Sequence, residues 1–285
     1  MKFVTSHIMG IRLQDIKLTG LPFTLVPNTT LNELFNVQSG VAPDPGLSPV
    51  MNYLAIGNGG HVAGVAADGT TYPKLVNHGP RDCALINHLP FVLRLPTNDL
   101  DPITQANYAM RTQITVGGIN YIAYYLRTIS MVGVGVSLLE NTVANGITTS
   151  VPWVPTSANL HPTPTIPSST GSVTTSGDYV SVQEVLGVTF AQSDIDEFLN
   201  VATILYGTPD LAIISEAALV AANPKVISVS ASGGGTITYT EAVAATICSS
   251  MSAYYHLPSL NQSLVLSFDV GGAESLYGVD GSVVV

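Results

Sequence analysis

From Met51 to about Val136, short apolar runs of strand length dominate the chain: "MNYLAI", "HVAGVA", "TYPKLV" and "FVLRL", separated by Gly, Asp-Gly and Pro. Runs this short, bounded by turn residues, predict β-strands rather than helices. "QITVGGINYIAYYLRTI" predicts two strands joined at Gly117-Gly118, because paired glycines accept the positive φ angles of a tight hairpin. Tyr121, Ala123 and Tyr125 alternate with Ile122, Tyr124 and Leu126, so neither face of the second strand is polar and burial on both is expected. "DPITQANYAMRTQ" interrupts the strands, with Asp101 as N-cap and Pro102 at the first helical position. Upstream, residues 1 to 27 read as short strand and loop pieces punctuated by Pro22 and Pro27. "TLNELFNVQSG" places Thr30 and Glu33 in capping-box spacing ahead of a helix of about two turns that stops by Gly40.

A helical period appears only towards the C-terminus. In "SDIDEFLNVATILYG", Ile195, Phe198, Leu199, Ala202, Leu205 and Tyr206 share one face, Ser193 and Asp196 have capping-box spacing, and Gly207 ends the pattern. "TPDLAIISEAALVAANP" predicts a buried helix starting at Pro209, and "TYTEAVAATICSSMSAYYH" another that begins with Thr238 and Glu241 and carries Ala244, Cys248, Met251 and Tyr255 on one face. "YVSVQEVLGVTF" reads as a strand, "VISVSASGGGTITY" as a hairpin around Gly233–Gly235, and the tail ends in apolar strand residues. Between the halves lies "VANGITTSVPWVPTSANLHPTPTIPSSTGSVTTSGD", residues 143 to 178. Prolines at 152, 155, 162, 164 and 167 exclude a regular helix and limit strand pairing. So long a segment inside a compact protein is either a flexible linker or an extended arm; the arm is the favoured reading, with Trp153, the only tryptophan, as its candidate anchor on a neighbouring subunit.

The expected fold class is therefore α+β: a β-rich N-terminal and middle part with short helices, an extended Pro/Ser/Thr arm, and a helix-containing C-terminal part. The expected organisation is an N-terminal segment (1–50), a β-rich part of the core (51–142), an inter-subunit arm (143–178) and an α+β part of the core (179–285).

Composition sharpens this. Charged residues make up only 10% of the chain, against about 25% in an ordinary soluble domain, so much of the surface must be uncharged or covered by other subunits. The formal net charge of −10 and the scattered Lys and Arg argue against a nucleic-acid-binding face. The most apolar stretch is broken by Arg127 before it reaches membrane-spanning length, and the N-terminus lacks the apolar core of a signal peptide. Cys83 and Cys248 lie far apart, which fits synthesis in a reducing cytoplasm, and Cys248 reads as a small core hydrophobe.

Candidate chemistry is sparse. "GNGGH" (57–61) lacks the spacing of a dinucleotide fingerprint and is followed by strand rather than helix. It reads as a turn between strands, with Asn58 and the glycines supplying positive φ. His61, His78 and His88 with Asp82 form the one metal-like set, but their spacing fits no compact ligand pattern and structural roles are expected. His161 falls in the arm and His256 at a predicted helix end, where a partly positive ring suits the dipole. Asp99 with Asp101, and Asp194 with Asp196 and Glu197, sit at predicted helix starts, where capping explains them. No Gly-x-Ser-x-Gly is present. The tyrosines of "NYIAYYLR" suit a stacking surface and a buried subunit contact equally well. No catalytic, cofactor-binding or metal residue is expected.

The ordered motifs "YLAIGNGGH", "DGTTYP", "NHGPRDCALINHLPFVLR", "INYIAYYLR", "TSGDYV", "SDIDEFLNVATILYG", "AIISEAAL" and "YTEAVAA", with "DVGGAESL" near the end, resemble a family of virion structural proteins from tailed bacteriophages. The resemblance implies a non-enzymatic component that forms a ring in the tail or baseplate, with the neck or connector as a further position. It implies synthesis in the host bacterial cytoplasm and incorporation into the virion. The implied partners are other copies of the chain and neighbouring tail-tube, sheath, baseplate or neck proteins, with no specific nucleic acid and no membrane. Two alternatives stay open: an exposed receptor-binding or decoration protein, and a metal-dependent enzyme using His61, His78, His88 and Asp82.

Overall fold

The computed structural model describes residues 2–162, 175–230, 236–259 and 263–277. The chain divides into two compact units, Met1–Ser130 with Thr189–Leu264, and Met131–Val188 with Val265–Val285. The first unit is therefore built from two separated stretches of sequence, and residues 143–178 fall wholly inside the second. The fold is α+β and dominated by strands.

In the first unit, β1 (Phe3–Ser6), β2 (Val50–Gly57), β5 (His88–Leu89), β6 (Val92–Arg94), β7 (Tyr108–Val116), β8 (Ile119–Thr128), β12 (Ile213–Ser230) and β13 (Thr236–His256) form one eight-stranded sheet. Its main path runs β1-β13-β12-β2-β8-β6, with β5 on β2 and β7 on β8. The β7–β8 hairpin turns at Gly117 and Gly118, both at positive φ, and residues 123 to 126 of β8 are buried in succession, as its two apolar faces require. A separate hairpin, β3 (His61–Val65) with β4 (Thr71–Leu75), leaves the sheet after β2.

Helices are short or peripheral. Thr30 and Glu33 make the expected capping box for α2 (Leu31–Phe35), which stops at Asn36 in the left-handed region, before Gly40. Asp101 accepts from the Ile103 and Thr104 N–H groups to start α3 (Pro102–Gln105). In α4 (Gln192–Tyr206), Ile195, Phe198, Val201 and Ala202 face the core and Gly207 closes the last turn. Its first turn starts earlier than Ser193: Asp194 reaches back to accept from the Ala191 N–H at 2.8 Å.

Of the short strand and loop pieces expected over residues 1 to 27, the strand is found as β1, but Ile8–Thr19 is a helix, α1, which corrects the rest. Its apolar residues occupy both sides, so the one-sided stripe that marks a surface helix is missing. Met9, Leu13 and Ile16 are buried while Ile8, Ile11 and Leu18 are exposed. Gly10 lets α1 sit directly on β13, where an added Cβ would lie 2.7 Å from Cys248 Cα.

The two helices expected over 208–224 and 238–256 are also overturned: β12 and β13 are long paired strands. Apolar residues all round fit a strand covered on both faces as well as a buried helix. The alternation that would have identified a strand is broken by register shifts at Ile214/Glu216, Leu219/Val220 and Ala221/Asn223. Ala244, at φ 54°, marks the irregularity on β13. Buried Asn32 satisfies the backbone there, donating to Ala242 O and accepting from the Ala245 N–H, each at 2.8 Å. His256 consequently ends a strand rather than a helix, bonded to Ser259 Oγ and Asp210 O. The strands flanking Gly233–Gly235 pair in antiparallel register as a hairpin requires, whereas those glycines and the apolar C-terminal residues lie outside the described residues.

The second unit holds a four-stranded sheet in the order β10-β9-β11-β14, with β9 (Ser137–Ala144), β10 (Ile147–Pro152), β11 (Thr175–Phe190) and β14 (Leu264–Tyr277). The first part of the expected arm is thus a regular hairpin, β9–β10, turned at Asn145-Gly146 with both residues at positive φ. Pro152 ends the edge strand, where a missing N–H costs no ladder bond. Residues 163–174 of the arm lie outside the described residues.

Candidate functional site

Two places merit inspection: the polar cluster under the glycine-rich loop, in the first unit, and the surroundings of Trp153, in the second.

After β2 the loop 57–61 folds over the start of β12. The glycines are there for closeness, not for the positive φ expected of them: neither Asn58 nor Gly57, Gly59 or Gly60 has positive φ. A Cβ on Gly59 would fall 2.7 Å from Glu216 Oε1, and one on Gly60 2.1 Å from Ser215 O. The loop closes on the Glu216 carboxylate, a residue not singled out from sequence because it lay in a predicted helix. Glu216 Oε1 accepts from the Gly59 and Asn87 N–H groups at 2.7 and 2.8 Å. Its Oε2 accepts from the Ile86 N–H at 3.0 Å and from His78 Nε2 at 2.8 Å. Burial would raise this carboxyl, but the His78 bond and the three backbone donors outweigh it, and the group is held below its ordinary range.

The three histidines of the metal-like set do gather around Glu216, each engaged by protein. His78 is buried; desolvation disfavours its charge, yet Glu216 and Asp82, 3.4 Å from Nδ1, raise it above the usual imidazole range. His61 Nδ1 lies 2.9 Å from Ser215 Oγ, with Tyr254 edge-on to the ring. His88 Nε2 accepts from the Leu85 N–H at 3.0 Å, so that nitrogen carries no proton, and burial pushes the ring down to about 4. His7, unnoticed in the sequence, adds a fourth ring, bonded to Ser250 Oγ at 2.8 Å and 6.0 Å from His78. Four imidazoles and two carboxylates here tie β3, β5, β12 and the start of α1 together, with Ser215 and Glu216 shut off from solvent. Among the described residues, no group of three or more His, Cys, Asp or Glu has the arrangement of a metal site.

The acidic pairs separate. Asp101 caps α3, whereas Asp99 pairs with Arg111 at 2.5 Å and accepts from Tyr124 Oη at 2.9 Å. Asp194 caps α4 and pairs with Arg127 at 3.0 Å, and Glu197 pairs with Arg94. Cys248 is half-buried, its thiol pushed up to about 11 by burial, which keeps it protonated and unreactive. Glu241, expected at a helix start, lies instead on β13, where it is buried, accepts from the Arg111 N–H and is pushed up to about 7 by desolvation.

Around Trp153 the arrangement is different. Its N–H donates to Leu138 O at 2.9 Å, extending the hairpin by one residue. The pairings Val182 with Leu138 and Val180 with Glu140, and Glu140 with Val151, put these side chains on one sheet face. Trp153, Leu138, Val180, Val182 and Leu276 line a groove of about 700 Å³, with Asn159, Ser181 and Glu274 among its polar members. Leu138 and Val182 remain 40% and 47% exposed, so this face is unsatisfied within the unit. The other face carries buried Asn141, bonded to Ser150 and Ser181. His161 caps a single 3₁₀ turn beyond the groove.

Residues 1–283 match the model of a family of unknown function (DUF7208). No curated protein and no solved structure matches the chain.

Proposed function

We propose that this chain, which belongs to the DUF7208 family of unknown function, is a structural component of a tailed-phage virion, completed by contact with other copies of itself. The fuller form of the reading is a ring in the tail or baseplate region, or in the neck, with the 143–178 segment and the termini reaching neighbouring subunits. What supports assembly is the surface around Trp153. A β-sheet that covers itself buries one face and solvates the other with polar groups, and here the Trp153 face exposes Leu138, Val151 and Val182, with Glu140 as the charge among them. The Glu216 carboxylate is fully engaged by three backbone N–H groups and His78, and that cluster is a structural part in this reading.

Burial supplies the driving force: at about 25 cal/mol per Å², a standard interface of about 1,600 Å² represents tens of kcal/mol gross, most of it cancelled by ordering and desolvation. Negative-stain microscopy of the purified protein tests the proposal. Closed rings are expected from the native chain, and Trp153→Ala is expected to abolish them while leaving the monomer folded. Rings formed normally by that variant would remove Trp153 from the interface. The rival reading, an exposed receptor-binding protein, draws on the same groove, since an indole beside an amide and a carboxylate suits a sugar; specific glycan-array binding by an unassembled protein would favour it.

A further inference from the structure

We propose that the β3–β4 hairpin of one copy seats in the Trp153 groove of the next, making a head-to-tail contact; this rests on the assembly reading above and names the surfaces that make it.

The groove belongs to an acidic unit. The second unit contains no Lys or Arg anywhere in its sequence, only Glu140, Asp178, Glu184, Asp269, Glu274 and Asp280. Two such units brought face to face would oppose carboxylate to carboxylate, which costs rather than stabilises. Its occupant must therefore bring apolar side chains together with a cation.

The β3–β4 hairpin meets that description. It is a two-stranded ribbon outside both larger sheets, held beside β13 through His61 against Tyr254. The register pairs Val62 with Lys74 and Gly64 with Tyr72, so Val62, Tyr72 and Lys74 share one face. Tyr72 is held on that face because its ring lies across Gly64, where a Cβ would come 2.8 Å from Cζ. Val62 and Tyr72 are 47% and 46% exposed and Lys74 is exposed beside them. The hairpin's one other ordinary charge, Asp68, sits at the turn, accepting from the Thr70 N–H. The geometry thus offers a valine, a tyrosine and an ammonium to a groove lined by tryptophan, leucine and valine with Glu274 at its polar part. Since the two surfaces differ, the contact is heterologous, and repetition closes a ring or extends a filament.

A charge exchange tests the contact. Lys74→Glu and Glu274→Lys are each expected to weaken self-association by about tenfold or more, and the double variant to recover it to within about threefold of the native chain. Self-association is followed by sedimentation over a concentration series, with circular dichroism to verify folding of these surface variants; Lys74→Gln and Glu274→Gln should shift association in the same direction by less. Recovery in the double variant establishes the pairing. Native assembly unaltered by either single change, or weakened by both without recovery, overturns this contact and leaves the assembly reading intact. A native chain that stays monomeric throughout overturns the assembly reading and the contact with it.

Discussion

Glu216 and Glu241 lie on neighbouring strands, both almost solvent-free, and behave oppositely because their surroundings differ. Glu216 has two donors on each oxygen, His78 among them, so its ionised form is stabilised. Removing it strands His78 and three backbone N–H groups; Glu216→Ala should cost about 3–5 kcal/mol in denaturant unfolding. Glu241 shares the Arg111 N–H between its two oxygens, and desolvation dominates, moving it from 4.5 to about 7. The raised value means that the folded state holds a proton the unfolded chain releases. Its contribution is fully present below pH 4.5 and is lost as pH rises through 7. Glu241→Gln should therefore leave stability at pH 4.5 nearly unchanged and raise it at pH 8 by up to about 3 kcal/mol, read from urea midpoints at the two values. No gain at pH 8 would mean the carboxyl is ionised at little cost in the folded protein.

At the scale of elements, the sequence was legible in several places where a local rule acts alone, though not at the Ser193–Asp196 box, which the Ala191–Asp194 contact replaces. The Thr30–Glu33 box, the Asp101-Pro102 start, the Gly117-Gly118 hairpin and the Gly207 stop each rest on a few neighbouring residues, and each is found. β12 and β13 were misread because their identity depends on partners far away in the chain. Three register shifts erase the alternation, and Ala, Ser and Thr are compatible with either structure. The same dependence hid Glu216, whose ligands come from the loop at 59 and from 78–87. The glycines of "GNGGH" were recognised as structural, but for the wrong physical reason, since close approach to β12 is visible only once β12 is a strand. Helix α1 gives a direct test of such packing. Gly10→Ala should push it off Cys248 at a cost of about 1–3 kcal/mol, with faster hydrogen exchange confined to residues 8–19 and the adjoining stretch of β13.

For the whole molecule, what matters is how unevenly charge is placed. The second unit holds six carboxylates and no cation, whereas every Lys and Arg of the chain lies in the first. Two complementary surfaces on one polypeptide are a means of repeating a contact, and exposed apolar side chains on both make it worthwhile. That reading stands or falls on whether the chain associates. Sedimentation velocity of the native protein from low to high micromolar concentration measures this most directly. A discrete oligomer of several copies, dispersed by Trp153→Ala, is the predicted result; a single monomeric species across the whole range would contradict the account.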